Sequence, residues 1–117
     1  MTVDDIQRLH VRTELPEIDE ISDTTLATKV VEAWALALSQ SSFESIADIP
    51  ASGNPDTPPI KTGTQTDHIR GVTRLAIAIA DELGQQFQQL PIDRDLVIAA
   101  APVSYTHLRA HETRHDL

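Results

Sequence analysis

The sequence predicts an all-α fold, and three observations carry that expectation. Hydrophobic residues make up 40% of the chain but aromatic ones only 3%, so the interior must be mainly Ala, Leu, Ile and Val. Such a mixture favours closely packed helices over a β-sandwich. Apolar residues also recur at three- and four-residue steps in two long stretches, as amphipathic helices require. Finally, 117 residues leave room for one small domain. The expected architecture has three main helices, at about 24–40, 67–84 and 92–101, with a long proline-rich loop at 49–66.

Residues 1–21 form a polar, acidic N-terminal segment in which Pro16 interrupts helical periodicity. A short helix over Val3–His10 followed by extended chain at Leu15–Ile21 is the expected arrangement. Ser22-Asp23-Thr24 then offers N-caps for the first main helix. In that helix Leu26, Val30, Val31, Trp34, Ala37 and Leu38 share a face, with Trp34 as core anchor. A helical turn around Phe43–Ala47 precedes IPASGNPDTPPIKTGTQT, whose four prolines and two glycines predict a loop or strap.

The second main helix should start at Thr66 or Asp67, carry Ile69, Val72, Leu75, Ala76, Ile79 and Leu83 as one apolar face, and end at Gly84. Pro91 suits the first turn of the third, and the acids of IDRD favour its dipole. Val97–Ala101 is apolar on all sides, which predicts a helix in the middle of the domain.

The charge of −9, from 18 acids against 9 bases, argues against binding a nucleic-acid backbone. No apolar run is long enough for a membrane span, and the N-terminus lacks the basic and apolar regions of a signal peptide. The chain has no cysteine, which excludes disulfides, Cys-ligated zinc and thiol catalysis. Together these features predict a cytoplasmic protein.

The most chemical stretch is the last, HLRAHETRHDL. His111-Glu112-Thr113-Arg114-His115 is an H-E-x-x-H string that would place two imidazoles on one helix face as zinc ligands, with Glu112 as base and His107 one step earlier. A zinc protease also needs a third ligand and a substrate cleft, which nothing here supplies. VSYTHLRAHET, from Val103 to Thr113, resembles one reading frame of a transposase-based sequencing adapter translated as coding DNA. In that frame the codons of Arg114 and His115 fall in the variable barcode, and Asp116 and Leu117 in the constant sequence after it. Residues 103–117 are therefore expected to be an adapter-derived tail. His107, His111, Glu112, His115 and Asp116 are set aside as site residues, and the His115-Asp116 dyad with them.

His68 is the remaining candidate. On composition alone it is one histidine in the first turn of an amphipathic helix, where solvation is the ordinary outcome. Yet His68, Arg70, Val72 and Ala76 on one helix, followed by PIDRDLVIAAA, resemble the opening of an HD-superfamily domain. The resemblance covers about residues 24–101. It implies a helical, metal-dependent hydrolase of phosphate esters, acting on nucleotides or other small phosphorylated substrates. It also implies that the early histidine meets a His-Asp pair at the end of the following apolar helix, with a later aspartate completing the site.

The resemblance assigns His68 as a metal ligand in the intact parent, where a divalent ion would polarise the phosphoryl group and activate water. Arg70 and Lys61 lie near enough in sequence to contact a phosphate; solvated surface charge is the alternative for both. DLVIAAA should run on into leucine, an apolar residue and His-Asp, but here Pro102-Val103-Ser104-Tyr105 follows. Residues 22–102 are thus expected to be the N-terminal part of an HD-type domain that stops just short of its dyad. That predicts an inactive chain holding no metal, with self-association through the exposed apolar helix 92–101. A non-catalytic helical interaction module is the alternative.

Overall fold

The computed structural model describes residues 3–50 and 63–109, with side chains as far as His107. Four α-helices lie within them: Asp5–Glu14 (α1), Thr24–Ser39 (α2), Gln65–Gln86 (α3) and Arg94–Val103 (α4). Short 3₁₀ turns cover Pro16–Glu20, Ile46–Asp48 and Thr106–Arg109, and no strand forms among the described residues. The all-α expectation holds.

The N-terminal segment is more ordered than its polarity suggests. Asp4 caps α1, its carboxylate accepting from the Gln7 amide at 2.8 Å while the Gln7 side chain accepts from the Asp4 amide at 3.2 Å. α1 runs four residues past His10 because Val11 and, just beyond the helix, Leu15 drop into the core. The stretch expected to be extended is instead the 3₁₀ turn Pro16–Glu20. Proline breaks a helix from within but suits a first turn, where its missing amide has no partner to lose. The turn aims Ile18 and Ile21 at the same core.

α2 begins where its caps predicted, with the Asp23 carboxylate accepting from the amides of Thr25 and Leu26. It is the central element. Val30, Val31, Trp34, Ala35, Ala37 and Leu38 are buried, and Trp34 is fully enclosed as the core anchor expected of it. α4, expected in the middle, lies instead along one side. Ile98, Ala99 and Pro102 face inward while Leu96 is 56% exposed. Three of the five residues of Val97–Ala101 are alanines, so the outer side of this helix has little apolar surface to cover.

Helix boundaries moved for local reasons. α3 is capped by Thr64 rather than Thr66 or Asp67: its hydroxyl accepts from the Asp67 amide at 3.2 Å, and the Asp67 carboxylate returns to the Thr64 amide at 3.0 Å. The helix passes through Gly84 to Gln86, because that glycine keeps a helical backbone; the positive-φ glycine among the described residues is Gly63, at φ 93°. Pro91 stays outside α4, whose cap is Asp93, accepting from the Leu96 amide at 3.1 Å. α4 continues two residues past Ala101, with Pro102 in its last turn, where the missing amide costs a single helical hydrogen bond. The turn expected around Phe43–Ala47 falls at Ile46–Asp48. Residues 51–62 of the expected 49–66 loop lie outside the described residues, and the last two positions of that loop are already helix.

Two carboxylates fasten the elements across long sequence separations. Asp95 accepts from the amides of Ser22 at 2.8 Å and Asp23 at 3.0 Å, fixing the start of α4 to the start of α2. Glu14 accepts from the amides of Ile46 and Ala47 and from the Thr66 hydroxyl, at 3.0–3.2 Å, and so holds the entry to α3 against α1. α3 and α4 run antiparallel. Arg94 pairs with Asp81 at one end, and Tyr105 meets His68 at the other.

Candidate functional site

The first turn of α3 carries the candidate residues, and its position is well determined. The capping box at Thr64 sets the helix start, and the Glu14 clamp sets its place against α1 and the Ile46–Asp48 turn. Gln65 and Ile69 point into the core, which leaves His68 and Arg70, both partly buried, on the flanks.

The His68 imidazole faces the chain leaving α4. Its Nε2 lies 3.2 Å from the Tyr105 hydroxyl, and the two rings meet edge to face with centroids 5.3 Å apart at 89°. Beside this contact the Trp34 indole donates to the Pro102 carbonyl at 2.9 Å in a buried environment. The end of α4 is therefore held at two points, one on α2 and one on α3.

Arg70 forms a two-pronged ion pair with Glu17 of the Pro16–Glu20 turn. Its Nε lies 3.1 and 3.2 Å from the two carboxylate oxygens and its Nη2 3.0 Å from one of them. The Glu17 side chain is 8% exposed, that of Arg70 34%. The hydrogen bonds that Arg70 donates to Glu17, the charge of Glu17, and more weakly that of Asp67, raise the Arg70 pKa above its ordinary value despite some desolvation. Arg70 thus joins α3 to the N-terminal segment. Lys61 lies outside the described residues, as do His111, Glu112, His115 and Asp116. His107 is exposed, with Nδ1 2.8 Å from the Ser104 carbonyl in its own turn.

The arrangement can position one imidazole against a phenol. Among the described residues no three His, Asp or Glu side chains come together as metal ligands. A divalent cation needs further imidazole or carboxylate ligands beside His68, and the described residues gather no such set, so they do not fit such an ion. No pattern in the sequence singles out Tyr105 or Glu17. Tyr105 sat in the tail set aside, and an acid after a proline carries no signal that a distant arginine will claim it. In comparisons with known proteins, no family model, curated protein or solved structure matches the chain.

Proposed function

We propose that residues 24–101 are the N-terminal part of a cytoplasmic HD-type phosphohydrolase acting on small, nucleotide-like phosphate esters, and that the present polypeptide is inactive. The observation carrying this reading is the return of the end of α4 to His68. The HD pattern calls for a His-Asp pair within a few residues of Ala101, and at the end of that stretch here the Tyr105 hydroxyl reaches the His68 imidazole. A pair on that turn would come within reach of the histidine at the start of α3, as the resemblance requires. The tail of 103–117 is then a foreign sequence that has taken the place of the dyad.

The source DNA read past the codon for Ala101 tests the reading. A His-Asp pair within the next few codons is the expected result; a stop codon, or a continuation without the pair, would overturn it. For the polypeptide itself, titration with Mn²⁺ or Ni²⁺ should give no stoichiometric binding, and no phosphomonoester should be hydrolysed in a His68-dependent way. A second reading, a non-catalytic helical interaction module, is favoured by the large apolar side chains that α3 leaves exposed. It expects the source gene to lack the pair.

A further inference from the structure

α3 presents two adjacent ridges on its outer side. Leu75, Ile79 and Leu83 recur every four residues, 65%, 60% and 38% exposed. Next to them run Arg74, Ala78 and Glu82, also four apart and all exposed. Residues spaced by four form one inclined row on a helix surface, so each set is a continuous ridge. The apolar ridge continues into a groove between α3 and α4, lined by Ala76, Ala80, Ile92 and Val97.

We infer that this face takes a second copy of the chain, α3 against α3, antiparallel about a two-fold axis at Ala78 and Ile79. Both ridges are self-complementary under that one operation. Leu75 of one copy meets Leu83 of the other, and Ile79 meets its own counterpart. On the flanking ridge Arg74 meets Glu82 of the second copy twice, and the small Ala78 lies at the axis where the helices approach most closely. A two-fold contact must match a surface with itself in this way.

Charge favours this occupant. The chain carries −9, so two copies repel unless their contact is locally balanced. Arg74 is such a local charge, for it has no hydrogen-bond or ion-pair partner among the described residues. Glu82 accepts only from the exposed Gln86 side chain of its own helix, at 2.8 Å.

Sedimentation equilibrium from about 10 to about 500 µM, the range of weak small interfaces, should show the mass rising towards twice 12.8 kDa. Arg74→Glu and Glu82→Arg should each weaken association about tenfold, while the double variant, which restores both pairs, returns to within about threefold of the parent. The chain has no cysteine, so Ile79→Cys should oxidise to a covalent dimer, whereas Leu75→Cys alone should not. These positions are exposed, and unchanged helicity by circular dichroism confirms that each variant folds. A monomer throughout, single reversals without effect, no rescue by the double variant, or cross-linking of Leu75→Cys as fast as of Ile79→Cys would each overturn the inference.

Discussion

Trp34 joins the two kinds of support that a buried aromatic can give. Its ring fills the centre of the core and its N–H satisfies the Pro102 carbonyl at the end of α4. Replacing it with phenylalanine leaves that carbonyl without its indole donor and opens a small void, at a cost of about 2 kcal/mol. Urea unfolding should read this as a lower midpoint with an unchanged slope. Arg70→Met removes the partner of the buried Glu17; with the arginine a third exposed, solvent screening holds the loss to about 1–2 kcal/mol. The sign of its pH dependence follows from the raised arginine pKa. Such a group stabilises fully below its ordinary value and loses the contribution only as pH rises through the higher folded value. The destabilisation by Arg70→Met should therefore be the same at about pH 7 and about pH 9. Trp34 was legible in the sequence because a lone large ring in an apolar run has one economical place to go. The Arg70–Glu17 pair was not, since 53 residues separate its partners and either charge alone reads as surface.

At the scale of elements, periodicity located α2 and α3 while the chemistry of their ends decided the boundaries. The run TGTQTD offers several threonines as caps, and periodicity cannot choose among them. Thr64 prevails because Asp67, three residues on, completes the reciprocal box and because Gln65 is then buried. Thr64→Ala should cost about 1 kcal/mol, whereas Thr66→Ala should lose only the contact with Glu14. Thermal denaturation of the two variants side by side checks the order. The all-apolar run Val97–Ala101 predicts cover on every side, yet α4 lies along one side of the core. Alanine carries so little apolar area that a helix rich in it can lie half exposed.

Across the whole molecule, the polar N-terminal segment is part of the core rather than an appendage. Val11, Leu15, Ile18 and Ile21 lie in the same buried cluster as Trp34 and Ile98. Removing residues 1–21 should abolish cooperative unfolding, seen as a featureless melt by circular dichroism. Those four apolar residues are too widely spaced among charges for a sequence window to register, so the all-α class was legible while the reach of the core was not. The candidate site was legible to the same partial degree: His68 could be singled out, but its neighbour Tyr105 depends on α4 folding back along α3. Large apolar side chains left on the surface also limit stability, and the intact chain should melt below about 60 °C.

The hydrogen bond between Trp34 and Pro102 has a practical consequence. The chain contains a single tryptophan, so its intrinsic fluorescence arises almost entirely from one indole whose N–H is bonded to the last turn of α4. Emission shifts to longer wavelength when an indole becomes hydrated. The protein therefore carries its own optical reporter, which registers the undocking of the very turn that reaches His68 without any attached label.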